Sequence, residues 1–382
     1  MARFTFVVWD GGGNVGPAVG LAQGLSLRGH RCRFLGYGVQ RERVVAQGFA
    51  FDELRRSGGF DVAREPPDQR IGGFMRHVWS CPEHLQDLPE ALAAEPADAL
   101  VVDFVMHGAL AAAERAAIPT VSFVHSAIAG VVAPPGSAMA NARVAATNAL
   151  RAAAGLGAIE RTTDAWDRFP MLVTTLRELD TAAAGAPATA YYVGPITEQF
   201  ESREWQSPWD RGDGRPLVVV SFTTTGFWDQ HGRIERTLAA LASEPVRILV
   251  CGEKGGASGL GVPPNAAIRG FIPHAAVLPS ASVVVTHCGH GTVAASLTHG
   301  VPLVGLPNKG ADQPYLAQRV EQLGAGIALD GDAEPDLIGA AVRKVLDDPR
   351  YATAARALGE SILASPGVTG AVAFVEGVAR AT

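Results

Sequence analysis

Short, continuous apolar runs separated by helix-length amphipathic segments recur along this chain from end to end, and that alternation restricts the fold more than any other feature. In the first half the runs are FTFVVW (4–9), RCRFLG (31–36), DALVVD (98–103), PTVSFV (119–124) and MLVTT (171–175). In the second half they are PLVVVSF (216–222), VRILVC (246–251), AAIRGF (266–271), SVVVTH (282–287), PLVGLP (302–307) and AGIAL (325–329). A strand with one face in water alternates polar and apolar residues, whereas a strand covered by helices on both faces is apolar throughout. These runs are of the second kind. Strands that alternate with helices pair in parallel through right-handed crossovers, so the expected fold class is α/β, with doubly wound parallel sheets.

At 382 residues the chain is too long for one core, since single cores stop growing at roughly 250 to 300 residues. The alternation breaks most sharply at TEQFESREWQSPWDRGDGR (197–215), which mixes charge, Pro, Gly and two Trp and is expected to be a linker. Rossmann-like domains over 1–196 and 216–360 would flank it, with a last helix in 361–382. Residues 52–92 and 130–170 carry little strand signal. In open α/β sheets ligands lie beyond the carboxyl ends of the strands, where long connections build pocket walls. Phe60, Phe74, Trp79 and the Ala-rich region 138–154 therefore point to an apolar, sizeable small-molecule ligand.

A formal net charge of −6 without a Lys/Arg tract argues against nucleic acid as a partner. No run approaches the roughly 20 apolar residues that span a bilayer, so no membrane is expected either. Asp10 and three glycines cut the first apolar run short, which reads as a buried strand and not as a signal peptide, and the cytoplasm is the expected address. Cys32, Cys81, Cys251 and Cys288 are scattered, without a CxxC pair or a His/Cys cluster, so no metal site is expected.

The densest signal is VTHCGHGTVAASLTHGVPLVGLPNKGADQ (285–313). A strand ends at His287, small residues turn the chain, and a helix is expected to open at Thr292 and run to about His299. The backbone N–H groups of Gly289, Gly291 and Thr292 would then project from a helix N-terminus, where unpaired donors and the helix dipole favour an anion such as a phosphate. His287 and the Thr292 hydroxyl can add donors.

This segment resembles the donor signature of GT-B nucleotide-sugar glycosyltransferases of natural-product and macrolide biosynthesis. The pattern is His-x-Gly, a Gly and Ser/Thr after one residue, His-Gly-Val-Pro, then Asp-Gln. GFIPHAAVLPSASVVV (270–285) is similar to the element that precedes the signature, and YYVGPI (191–196) to the Val-Gly-Pro that closes the family's N-terminal domain. The resemblance implies two Rossmann-like domains facing a central cleft, with the C-terminal helix crossing back to the first. It implies that His287, Gly289, Gly291 and Thr292 hold the diphosphate, Phe271 and Ile272 the base, and Asp312 and Gln313 the sugar. Thr223 and Thr224, in SFTTTGF, match a turn that approaches the diphosphate. No cofactor or metal is implied, the nucleotide-diphosphate sugar being a cosubstrate. Eight positions after the signature His the family often has a Glu that holds both ribose hydroxyls, and here that position is Ala295. A dTDP-deoxysugar, with one ribose hydroxyl fewer, is accordingly expected over a UDP-sugar.

GGGNVGP (11–17), followed by LSLRGHRC (25–32), is similar to the family's Gly-His-x-x-Pro turn and Arg-Gly-His helix end, on the acceptor side. A dinucleotide fingerprint fits formally at Gly11, Gly13 and Gly16, but no acid follows RCRFLG to hold a ribose. Asn14 stands where the family has its catalytic His. A side-chain amide has no useful basicity near neutral pH. Asp103 matches the family's second dyad member, and His107 and His125 also follow strands. The acceptor is then an acidic or intrinsically nucleophilic group, or one of Asp103, His107 and His125 substitutes as base, or the protein binds sugar nucleotides without turnover. Asp10 is an outside candidate that would ordinarily cap its turn. The expected function is inverting, metal-independent sugar transfer to a hydrophobic acceptor by a protein that could form a homodimer. The alternative is a catalytically degenerate helper of the same fold.

Overall fold

The computed structural model describes residues 1–198, 205–210, 212–222, 228–252 and 259–380. The chain divides into two compact units, Met1–Gln199 with Pro366–Thr382, and Phe200–Ser365.

The first unit is built on a parallel sheet of seven strands: β1 (Arg3–Val7), β2 (Arg31–Gly36), β3 (Ala50–Glu53), β4 (Ala99–Asp103), β5 (Thr120–Val124), β6 (Met171–Val173) and β7 (Ala190–Tyr192). Their spatial order is β3-β2-β1-β4-β5-β6-β7, so the winding reverses between β1 and β4. At that point Val7 pairs with Val102, and Asp103 at the end of β4 pairs with Phe123 of β5. The carboxyl ends of these three strands are where a doubly wound sheet opens a crevice.

Successive side chains of a strand point to opposite faces, and the core divides accordingly. Phe4 and Phe6 pack with Val19 of the helix Val15–Leu27 and with Ala371, Val372 and Val375 of the helix Gly367–Arg380. Val7, Leu100 and Val102 face the other layer, with Leu88 of the helix His84–Ala94 and Leu110 of the helix His107–Arg115. The last helix is tied down by a buried acid: Glu376 accepts hydrogen bonds from Arg28 Nε at 2.8 Å and Arg380 Nη2 at 2.7 Å, and lies 2.9 Å from His30 Nε2. The Arg28 guanidinium, then His30, hold its carboxyl down at about 2. The apolar stretch Pro349–Arg380 is two helices, Pro349–Ala364 and Gly367–Arg380, parted by Ser365 and Pro366. Each is shorter than the roughly 20 residues a bilayer crossing needs.

The second unit carries six parallel strands, β8 (Leu217–Ser221), β9 (Arg247–Cys251), β10 (Ala266–Arg269), β11 (Val283–Thr286), β12 (Leu303–Gly305) and β13 (Gly326–Ala328). Their order is β10-β9-β8-β11-β12-β13, reversing between β8 and β11. Val218, Val220, Ile248, Val285 and Val304 fill one face with Leu238, Ile338 and Val342 from the helices His231–Leu241 and Pro335–Asp347.

Every apolar run named above became a strand: RCRFLG over its full length, FTFVVW shifted to Arg3–Val7, and the others trimmed at one or both ends. Two strands lay outside those runs. β3 buries only Phe51 of its four residues, and β7 is a three-residue edge, so neither has the continuous apolar signature of a strand covered on both faces.

Candidate functional site

In the second unit β11 ends one residue before His287. The following helix is His290–Thr298 with Gly289 at its N-cap, so it opens two residues earlier than the sequence led us to expect. One consequence corrects the expected donor set. The Thr292 N–H is donated to the Gly289 carbonyl at 3.0 Å and is spent within the first turn. Gly291 lies exposed in that turn, where a helix N–H has no internal acceptor. No acidic side chain occupies the turn to neutralise the dipole.

His287 is buried, and burial, then Arg233 and His274, push its pKa down to about 4. It is a neutral donor at pH 7, not a cation. Its ring lies over Gly289 so closely that a Cβ there would come to 2.6 Å from Nε2, so any larger residue at that position must displace the ring. Cys288, between them, has φ 60°, a left-handed conformation unusual for a residue with a Cβ. Ala311, next to Asp312, is left-handed as well, at φ 57°. Both strained residues adjoin expected ligand-binding positions.

Asp312 is the N-cap of the helix Gln313–Gln322 but makes no side-chain capping bond. Gln313 is buried and uses its Oε1 to accept from the Asn308 backbone N–H at 3.1 Å and from Asn308 Nδ2 at 2.8 Å. Its amide N–H groups are what it can offer a ligand. Phe271 stands beyond β10 with 62% of its surface exposed, while Ile272 packs into the core beneath. Thr223 and Thr224 lie outside the described residues. Two contributors were missed by sequence reasoning. His274 meets Ser221 Oγ at 3.0 Å at the end of β8, and Arg233, on the helix His231–Leu241, is a largely buried cation near His287 whose pKa burial lowers. Neither belongs to a turn motif.

In the first unit Asn14 is buried and occupies the N-cap position of the helix Val15–Leu27 without capping it. Its side chain is used elsewhere. Nδ2 donates to Trp9 O at 2.7 Å and to Asp103 Oδ2 at 2.9 Å, and Oδ1 accepts from Gly11 N–H at 2.9 Å. The two acceptors and one donor fix the amide's orientation. Asp103 Oδ1 accepts from Val105 N–H at 3.2 Å. Its Oδ2 also lies 3.3 Å from Nε2 of His125, the residue after β5, whose side chain is 16% exposed. Asn14, Asp103 and His125 therefore meet at the carboxyl ends of β4 and β5. Asp10 Oδ1 accepts from Gly12 N–H at 2.9 Å and caps the turn.

His107 does not join them. It is fully buried between Trp79, 4.6 Å away, and Trp166, 6.2 Å away, and burial pushes its pKa to about 3. It belongs to a chain of ring contacts that runs from Trp9 through Phe74, Trp79, His107, Trp166 and Phe104 to His125. Among the described residues no group of three His, Cys, Asp or Glu side chains is placed to hold a metal ion.

Residues 235–377 match the family described as erythromycin biosynthesis protein CIII-like, C-terminal domain. The chain is 30% identical to 4'-demethylrebeccamycin synthase of Lentzea aerocolonigenes, over 99% of both chains. Its fold matches that of the glycotransferase of kitacinnamycin with a TM-score of 0.80 at 22% identity, over 99% of this chain and 98% of that one. It also matches the glycosyltransferase VinC, solved in complex with dTDP, with a TM-score of 0.74 at 18% identity over the full length of both. Two parallel-sheet domains of the GT-B type, and relatedness over 99% of both chains to 4'-demethylrebeccamycin synthase, establish that this chain belongs to the natural-product glycosyltransferases.

Proposed function

We propose that this glycosyltransferase transfers a deoxysugar from a dTDP donor, with inversion, to a small-molecule acceptor whose hydroxyl is deprotonated by His125. The observation that carries the reading is the contact of His125 Nε2 with Asp103 Oδ2 at 3.3 Å, in a site where Asn14 holds the same carboxylate. On this reading Nε2–H turns onto the carboxylate as substrate binds, and Nδ1 is the nitrogen that takes the proton. Acceptor oxygen attacks the anomeric carbon as the diphosphate leaves, the proton passes to His125, and Asp103 balances the imidazolium. One displacement at one carbon inverts it. Catalytic hydrogen bonds are commonly long in the free enzyme and tighten with substrate.

Donor charge is met on this reading by the first turn of the helix His290–Thr298, by the neutral His287 donor and by Arg233. Preference for dTDP is supported by Ala295, which offers no acceptor to a ribose 2′-hydroxyl, and by the dTDP bound in the VinC structure. Calorimetric titration with dTDP and UDP, with His287→Ala as control, tests the donor half. Tighter dTDP binding, lost in the variant, is expected, and UDP binding as tightly as dTDP would overturn the preference.

A further inference from the structure

Outside the Asn14, Asp103 and His125 cluster, the first unit holds a half-buried arginine, its Nε fully covered, to which no described residue supplies a counter-ion. The helix Ala138–Ala153 reads AMANARVAATNALRAA and contains no acid. Arg151 on this helix is paired, bonded to both carboxylate oxygens of Glu114 at 2.6 and 3.1 Å. Arg143 is not. Its Nη1 donates to Val131 O at 2.7 Å, its guanidinium carbon sits 4.6 Å from the Trp79 ring centre, and its Nε is buried without a hydrogen-bond partner. Among the described residues no carboxylate lies within ion-pair distance of it. Partly withdrawing a cation from water without a counter-charge is unfavourable, and a ligand that brings the opposite charge relieves it.

The neighbourhood repeats the pattern. Trp79 Nε1, Trp166 Nε1, Thr147 Oγ1 and both ring nitrogens of His107 are buried without partners, on side chains no more than 2% exposed. Thr147 follows Arg143 by four positions and so shares its helix face. Native proteins leave few buried polar groups unpaired. Donors outnumber acceptors in this set: a guanidinium N–H, two indole N–H groups, a hydroxyl and one imidazole N–H, against the hydroxyl oxygen and the other imidazole nitrogen. Water brings as many donors as acceptors, whereas an anionic oxygen brings acceptors only.

We propose that this cluster binds an anionic oxygen, carboxylate or phenolate, of an aromatic acceptor, with Arg143 as its counter-ion and the Trp79 and Trp166 rings against its apolar body. The proposal rests on the reading of the first unit as the acceptor side. Trp79, His107, Trp166 and Phe104 lie in contact order between Arg143 and His125. The anion is thus the acceptor's anchor, and the hydroxyl that attacks is a separate group at the His125 end.

Tryptophan fluorescence titration of the full-length protein with naphthalene-2-carboxylate, naphthalene-2-carboxamide and inorganic phosphate tests this, on wild type and Arg143→Gln, with dTDP calorimetry run on both. The carboxylate is expected to bind wild type at least about tenfold more tightly than the carboxamide, and the variant to bring the two within about twofold while leaving carboxamide and dTDP affinities unchanged. Equal affinities of the two naphthalenes for wild type, no binding of the carboxylate, or phosphate binding as tightly as the carboxylate would each overturn the proposal, and none depends on the variant folding. Loss of dTDP binding by wild type would count against the donor reading instead.

Discussion

Asn14 and Asp103, 89 positions apart, meet at 2.9 Å, with the amide donating to the carboxylate. A single imidazole in place of Asn14 could not also satisfy Trp9 O and Gly11 N–H, so the amide at this position pins the glycine loop to the end of β4. On the proposed mechanism basicity is left to His125, after β5.

Replacing that amide with a carboxylate is a sensitive probe of its role. Asn14→Asp places two acids in contact, and like charges at that distance share one proton. Stability should fall by about 2–4 kcal/mol at pH 8 and recover in part by pH 5.5, when the shared proton is in place. Urea midpoints at the two pH values check this. A loss independent of pH would mean that the carboxylates do not meet.

His125→Gln should lower kcat by at least about 100-fold, the usual worth of a positioned base, while dTDP affinity stays as in wild type. Steady-state kinetics with any accepted substrate, paired with calorimetry, separates the two effects. Activity within a few-fold of wild type would remove His125 from the mechanism.

Gly289→Ala forces a methyl group to within 2.6 Å of His287 Nε2. The ring must swing away from the first turn of the following helix. We expect dTDP affinity to drop at least about tenfold with only about 1–2 kcal/mol of stability lost. Unchanged affinity would show that His287 takes no part in donor binding.

Three buried histidines and the half-buried His274 are held neutral: His84 at about 4, His107 at about 3, His274 at about 4 and His287 at about 4, each lowered chiefly by loss of water. Unfolding frees each to bind a proton near its ordinary value of 6.5. The unfolded state therefore binds more protons between pH 6.5 and about 4, and stability must fall as pH falls through that window. Each histidine adds a slope of up to about 1.4 kcal/mol per pH unit. Urea midpoints at pH 7.5, 6 and 5 should decline steeply, and a flat series would show that these rings are hydrated.

The strand framework was legible because strands buried on both faces must be apolar throughout, and the turn into the helix His290–Thr298 was legible to within two residues because glycines after an apolar run mark a turn. β3 was not, since Phe51 alone is inward. The Asn14–Asp103 relation was legible only by resemblance, and His125 beside Asp103 only as one of three candidates, because adjacency across β4 and β5 depends on sheet order and register. His107 looked equivalent in sequence, yet the tryptophans that enclose it come from positions 79 and 166, in stretches without periodic signal. Arg143 gave no sign at all: an arginine in an Ala-rich helix reads as solvated until its missing counter-ion is seen.

The helix Gly367–Arg380 completes the hydrophobic layer begun by Phe4, Phe6 and Val19. The two parts of that layer are separated in sequence by the whole of Phe200–Ser365. During synthesis the first unit therefore keeps an open apolar face until Gly367–Arg380 has been made, whereas Phe200–Ser365 is continuous and can fold without it. A ribosome stalled before Gly367 would leave that face of the sheet as bait for chaperones or aggregation.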